Sequence, residues 1–124
     1  MGRKGDAATG RAAHRLGLRA ERRAALLLRL KGYRILATRL KTPAGEIDMV
    51  ARRGRALAII EVKARADEKG AAEALQPRQL KRLERAASHF LGRNPDLADL
   101  DLRFDVVLVT PCRLPRHIPD AWRP

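Results

Sequence analysis

Gly45-Glu46-Ile47-Asp48-Met49-Val50-Ala51-Arg52-Arg53-Gly54-Arg55-Ala56-Leu57-Ala58-Ile59-Ile60-Glu61-Val62-Lys63 is the stretch that decides how this chain folds. Two largely apolar runs, Glu46 to Arg53 and Ala56 to Lys63, flank Gly54-Arg55, and a glycine at the first of two loop positions suits a type II′ turn. The stretch therefore reads as a tight antiparallel hairpin. In that register Asp48 faces Glu61 and Glu46 faces Lys63. Side-chain alternation places Glu46, Asp48, Val50, Leu57, Ile59, Glu61 and Lys63 on one face, with Ile47, Met49, Ile60 and Val62 on the other. Both faces are apolar in mid-strand and charged at one end. Central strands covered on both sides, with a polar site at an open edge, have this pattern.

Upstream, Tyr33 to about Leu40 reads as another strand, joined to the hairpin through a Thr42-Pro43-Ala44-Gly45 turn. Before it, Leu16, Ala20, Ala24, Leu27 and Lys31 follow the 3.6-residue repeat of a helix over about Ala12 to Lys31, and Gly32 supplies the stop. Residues 1 to 11 lack periodicity and read as a flexible basic arm, leaving 12–124 as the single domain. Downstream, Arg65 to Leu75 reads as a flexible connection. A second helix opens at Gln76 with Pro77 in its first position and runs to about Leu91, ended by Gly92 and Pro95. Arg103 to Thr110 is the last expected strand, returning parallel to one hairpin strand by a right-handed crossover. Pro111 to Pro124 reads as a Pro-rich tail with one helical turn near Asp120 to Trp122. The order is αβββαβ, an α/β class with a mixed sheet flanked by helices.

A chain of 124 residues, 45% hydrophobic, supports one core and one site. Its 27 Lys plus Arg against 14 Asp plus Glu give +13, and residues 1–41 hold 12 of the basic side chains against two acidic ones. That asymmetry suits a phosphate-contacting surface; mere solubility and a basic membrane-surface patch are the bland alternatives. Arg15, Arg19, Arg22, Arg39, Lys41 and Arg65 are the expected nucleic-acid contacts. Tyr33, Phe90, Phe104 and Trp122 are the whole aromatic set, too few for a stacking platform, which favours backbone contact to duplex or branched DNA. Cys112 has no disulfide partner, no Cys and His cluster has zinc spacing, and no run approaches the roughly 18 apolar residues of a membrane span. A cytoplasmic protein without membrane partners is expected.

Two carboxylates opposed across a strand pair repel unless a proton or cation separates them. Mg²⁺ or Mn²⁺ takes oxygen ligands from one or two carboxylates plus a substrate phosphate, so Asp48 and Glu61 suit that ion. Lys63, two residues beyond Glu61 on the same face, suits orientation of a water or stabilisation of phosphate charge. The implied reaction is phosphodiester hydrolysis. Glu-x-Lys alone arises by chance in roughly two of five chains this long, so the weight lies on Asp48 opposite it. The bland alternative is that Glu46, Asp48, Glu61 and Lys63 form ordinary cross-strand ion pairs. Glu21, with Gly17, Ala25 and Leu28 on its own side, reads either as a further pocket ligand or as a helix-surface ion pair. Gln79, beside Leu75 and Leu83, reads as a positioning residue or as a hydrogen-bonded helix edge. None of His14, His89 and His117 is assigned to catalysis, and Asp105 reads as a hydrogen-bonding strand-end residue.

Gly17-Leu18-Arg19-Ala20-Glu21, Gly32-Tyr33-Arg34-Ile35-Leu36, Gly45-Glu46-Ile47-Asp48-Met49-Val50, Glu61-Val62-Lys63-Ala64-Arg65 and Arg103-Phe104-Asp105-Val106-Val107 together resemble, in order, the YraN-like family of uncharacterised bacterial proteins. The resemblance spans about residues 14 to 122 and includes the Asp120-Ala121-Trp122 ending. It departs at Arg39-Leu40-Lys41, where the family often shows Asn-x-Arg, and at Gln79, where it often carries Lys. That family is similar to the restriction-endonuclease-like, or PD-(D/E)xK, superfamily and to archaeal Holliday junction resolvases. By this resemblance Asp48, Glu61 and Lys63 match the catalytic acid, acid and lysine, and Glu21 the helix-one glutamate. It implies an αβββαβ core, Mg²⁺ as cofactor and, by analogy with the resolvases, a homodimer. Three function classes are thus in play: a metal-dependent endonuclease on structured DNA, a non-catalytic nucleic-acid-binding module retaining the nuclease fold, and a protein-interaction scaffold.

Overall fold

In a computed structural model of the protein, residues 17–65 and 76–123 are described. The expected basic arm, the expected beginning of the first helix with Arg15, and most of the expected flexible connection lie outside them. Residues 17–30 form helix α1, and it ends as the sequence dictates. Gly32 takes φ 89°, its N–H donates to Arg29 O (3.0 Å), and the Tyr33 N–H donates to Leu28 O (2.9 Å). This is a Schellman motif, open to glycine because it has no Cβ, and its usual apolar contact joins Leu28 to Tyr33 in one buried cluster.

The chain continues through β1 (Arg34–Thr42), β2 (Gly45–Arg53), β3 (Ala56–Ala64), α2 (Pro77–Arg93), a 3₁₀ turn (Pro95–Leu97), β4 (Asp101–Val109) and β5 (Arg116–Trp122). The strands lie in sequence order in one sheet. Every neighbouring pair is antiparallel except β3 with β4. The α/β class, the mixed sheet and the parallel return of the fourth strand form as expected. So does the hairpin register, from Arg53↔Ala56 to Met49↔Ile60, around Gly54 at φ 58°.

Helices cover both faces. On one, Ala20, Ala24, Ala25 and Leu28 of α1 pack on Met49, Ala51, Ala58, Ile60, Val107 and Val109. The alanines bring α1 close to the sheet, and fully buried Leu28 anchors it; truncation to alanine there would cost roughly 2–5 kcal/mol. On the other face, Leu83, Ala86, Ala87 and Phe90 of α2 pack on Ile47, Val50, Leu57, Ile59 and Phe104. Gln76 and Pro77 open α2 as the sequence implies, but the helix passes through Gly92 to Arg93. Asn94 terminates it, its N–H bonding Leu91 O (3.2 Å) and its Nδ2 bonding Phe90 O (2.9 Å).

Two expectations are corrected. Ile47 does not share a face with Met49: Ile47 and Val50 both belong to the α2 side, Met49 and Ala51 to the α1 side. Alternation slips by one residue at Asp48. On β1 the slip is mirrored, since Ala37 and Leu40 both pack on the α2 side with Arg39 between them at φ 51°. Arg39 and Asp48 occupy the same rung, between Thr38↔Met49 and Leu40↔Ile47. A left-handed residue in one strand turns both, an effect strict two-residue periodicity cannot foresee.

The second correction is the tail, which forms strand β5 rather than a helical turn. Ile118, Ala121 and Trp122 pack on Val106 and Leu108, and Trp122 stacks on Phe104 with ring centroids 5.2 Å apart. Pro119 is tolerated because β5 is an edge strand. At the register shift between Phe104 and Val106, Asp120 takes φ 53° and its N–H finds the Asp105 carboxylate (2.9 Å) in place of a ladder carbonyl.

Candidate active site

The β2–β3 ladder stops at Met49↔Ile60, so Asp48 and Glu61 lie immediately past its last pair. There the Asp48 side chain substitutes for the backbone: its Oδ2 accepts the Val62 N–H at 2.8 Å. That bond fixes the carboxylate at the opening between the strands. Glu61, 5% exposed, is gripped on one oxygen only. Its Oε1 accepts from Lys63 Nζ (3.0 Å) and from Gln79 Nε2 (2.6 Å), whereas Oε2 is buried with no hydrogen-bond partner among the described residues. An unsatisfied buried polar atom is destabilising by roughly 1–3 kcal/mol, more when charged.

Electrostatics follow from this packing. Burial pushes the Asp48 carboxyl up to about 7, and the neighbouring Glu61 charge adds to the rise; the Val62 N–H, and more weakly Lys63, oppose it, while Glu21 adds a little more. Glu21, Glu46 and Asp48 each offer a carboxylate oxygen, and these lie within 4.8 Å of one another. Arg39 faces this acidic group, its Nε 3.8 Å from Glu21 Oε2 and 4.0 Å from Glu46 Oε1.

The structure thus brings Asp48, Glu61, Lys63, Glu21 and Gln79 to one corner, with Glu21 arriving from α1 and Gln79 from α2. Glu46 does not meet Lys63 as strict pairing implied: Lys63 forms an ion pair with Glu61 on its own strand, and Glu46, opposite Lys41 in the β1–β2 register, joins Glu21 and Asp48. Arg39, expected as a nucleic-acid contact, sits against Glu21 and Glu46. Arg19, Arg22, Lys41 and Arg65 are exposed to differing degrees at the surface. Sequence reading missed Arg82, whose Nη1 donates to Glu46 O at 3.1 Å. The trace it left is Gly45, at φ 132°, where an added Cβ would run into the Arg82 side chain.

A second polar cluster centres on Asp105, buried in mid-β4 rather than at a strand end. It accepts from Arg103 (Nε 2.9 Å, Nη2 2.8 Å), from His117 Nε2 (2.7 Å) and from the Asp120 N–H. Burial alone would raise its carboxyl, but the bonds from His117, Arg103 and Asp120 prevail and hold it at about 2. Lys31 Nζ lies 2.5 Å from His117 Nδ1; an ammonium has no lone pair, so Nδ1 accepts and Nε2 carries the proton given to Asp105. Arg103 also donates to the Tyr33 hydroxyl (2.5 Å). This network ties β5 and the end of α1 to β4.

Residues 20–109 match the family model of the Uncharacterised protein family UPF0102. The chain is similar to a UPF0102 protein of Parvibaculum lavamentivorans, 73% identical over 122 residues that cover 98% of this chain and 92% of the relative. It is similar to one of Paramagnetospirillum magneticum, 60% identical over 116 residues, covering 90% of each chain. One of Caulobacter vibrioides is 51% identical over 113 residues, 91% of this chain and 90% of the relative. Among the described residues no helix is long and apolar enough to cross a membrane.

Proposed function

We propose that this chain, which belongs to the uncharacterised protein family UPF0102, is a metal-dependent endonuclease that hydrolyses phosphodiesters in structured DNA, branched or duplex. The observation that carries the reading is the orphaned Glu61 Oε2, buried beside an Asp48 carboxyl that its own surroundings drive up to about 7. A fold retains such an arrangement at a loss of stability, and a cation is what would satisfy both groups.

The donor chemistry fits Mg²⁺ or Mn²⁺: Asp48 would hold the ion together with Glu61, whose buried Oε2 has no donor among the described residues, and Glu21 and Glu46 bring carboxylate oxygens within 4.8 Å of Asp48. Such an ion, when bound, polarises a phosphoryl oxygen and lowers the pKa of a water. The remaining work belongs to the chain. Gln79 and Lys63 together hold Glu61 Oε1, which leaves Oε2 without a donor among the described residues and available to a cation. Lys63, its ammonium steadied at 3.0 Å by Glu61, keeps donors for the attacking water or the phosphate charge. Arg19, Arg22, Lys41 and Arg65, all at the surface, supply phosphate contacts that position the strand without reading its sequence.

A second reading, a nucleic-acid-binding module that retains the pocket without catalysis, is favoured by Arg39, whose guanidinium already neutralises Glu21 and Glu46. Cleavage of junction, flap and duplex DNA with Mg²⁺ or Mn²⁺ separates the two. The endonuclease reading expects cleavage by the wild type and a fall of about 10²-fold or more in Asp48→Ala and Lys63→Ala. Cleavage surviving both substitutions overturns the site; DNA binding without cleavage of any substrate selects the module. The homodimer implied by the resolvase resemblance is checked by light scattering on the same preparation.

A further inference from the structure

A cleft of about 440 Å³ opens on the α1 face of the sheet, floored by Ala64, Val109 and Pro111 and rimmed by Arg19, Arg23 and Arg65. Its exposed lining is mostly apolar, and the only charged side chains in it, among the described residues, are the three arginines. Arg23 is held rigid: its Nη1 donates to Thr110 O at 3.3 Å and its Nη2 to Arg113 O. A guanidinium fixed by its edges keeps its plane for stacking, while the exposed Arg19 and Arg65 suit an anion. The cleft shares both its supporting elements with the acidic corner. Ala20, on its wall, precedes Glu21 in α1, and Ala64 follows Lys63 in β3. From Glu61 to Ala64 the strand covers roughly 10 Å; Ala64 turns to the α1 face and Glu61 toward Gln79 of α2, so a bound strand that reaches both places passes around this end of β3. A larger hollow of about 790 Å³ lies between the β1–β2 turn and α2, lined by Pro43, Ala44, Arg85 and His89 among others; along α2 it begins at Arg85, beyond Gln79.

We propose that this cleft takes an unpaired nucleotide adjacent to the bond being cut, its base against Ala64, Val109, Pro111 and the Arg23 plane, its phosphate on Arg19 and Arg65. An apolar floor with a flat cationic wall fits the faces of a base, and those faces are covered in a stacked duplex and bared at a branch or single-stranded end. The inference rests on the reading of this edge as a nucleic-acid site, and it supplies a physical reason for a branched substrate: the nucleotide that fits must already be out of the stack.

The test is a titration of isotope-labelled protein, in EDTA, with thymidine 5′-monophosphate, inorganic phosphate and thymidine, followed by backbone amide signals. The expected result is saturable movement of the Ala64, Val109 and Thr110 signals with the nucleotide, about tenfold weaker or more with phosphate or thymidine alone. Arg19→Ala combined with Arg65→Ala weakens the nucleotide about tenfold with the rest of the spectrum unchanged. Should that pair disturb the fold, Arg19→Ala alone, at an exposed side chain, weakens it about threefold. Phosphate binding as tightly as the nucleotide reduces the cleft to an anion patch and overturns the proposal, as does the absence of saturable movement. The titration needs neither divalent ion nor cleavage, so its failure leaves the hydrolase reading standing, and a failure to cleave leaves this one standing.

Discussion

Replacing Asp48 with Asn should make the metal-free protein more stable at alkaline pH. The Asp48 carboxyl rises from 3.8 to about 7 in the folded chain, chiefly through burial and secondarily through Glu61. Each tenfold change in the proton equilibrium is worth about 1.4 kcal/mol, which sets a ceiling of about 4 kcal/mol on the penalty. Asp48 is only partly buried, so solvent screening brings the expected gain to about 1–2 kcal/mol. The direction follows from the raised value. Below about 4 the carboxyl is protonated in both folded and unfolded chains and no penalty exists; stability is lost as pH climbs toward 7 and the penalty is complete above it. Asparagine keeps an oxygen for the Val62 N–H and brings an amide that can donate to the orphaned Glu61 Oε2. Thermal melts in EDTA should show Asp48→Asn about 4–8 °C above the wild type at pH 8 and close to it at pH 4.5. Mg²⁺ should then raise the wild-type midpoint and leave the variant unmoved. A variant less stable at pH 8, or one whose gain is equal at both pH values, refutes the claim that this corner is held under electrostatic strain.

Four further outcomes are expected. Gln79→Leu removes one of two donors on Glu61 Oε1 and should lower the cleavage rate about tenfold while duplex affinity, read by fluorescence anisotropy, is retained. Asp105→Ala strands Arg103 and His117 and should cost about 3–5 kcal/mol in urea unfolding. Because the Asp105 carboxyl is held at about 2, its stabilisation is full above pH 4 and lost as pH falls toward 2, so wild-type stability should drop by about 2 kcal/mol across that window. Duplex affinity should fall about 100-fold between 50 and 200 mM salt if Arg19, Arg22, Lys41 and Arg65 each meet a phosphate; a flat salt profile would exclude that surface.

The hairpin was legible because Gly54-Arg55 fixes the register, and the register alone brought Asp48, Glu61 and Lys63 to one end. Helix α1 was legible from its repeat and from Gly32, whose positive φ no other residue takes as readily. What escaped the sequence are non-local events. Arg39 in a left-handed conformation turns β1 and β2 together, and no pattern within either strand announces it. Strand β5 hides behind Pro115 and Pro119, and its edge position and the buried Asp105 carboxylate that replaces a ladder acceptor are known only once β4 is in place. Arg82 left a mark in Gly45, but a lone glycine after a turn reads as part of the turn.

The slip of alternation at Asp48 reaches beyond the two strands it bends. A regular strand serves a single layer at each rung, so a group placed on it can be approached from above or from below. Where the pleat skips a beat, one carboxylate sits at the seam and answers to both layers at once: a glutamate descends from one helix, and across the hairpin a glutamine rises from the other to its partner acid. Any remodelling that restored the regular pleat would return each helix to its own side, and the two halves of the corner would no longer meet.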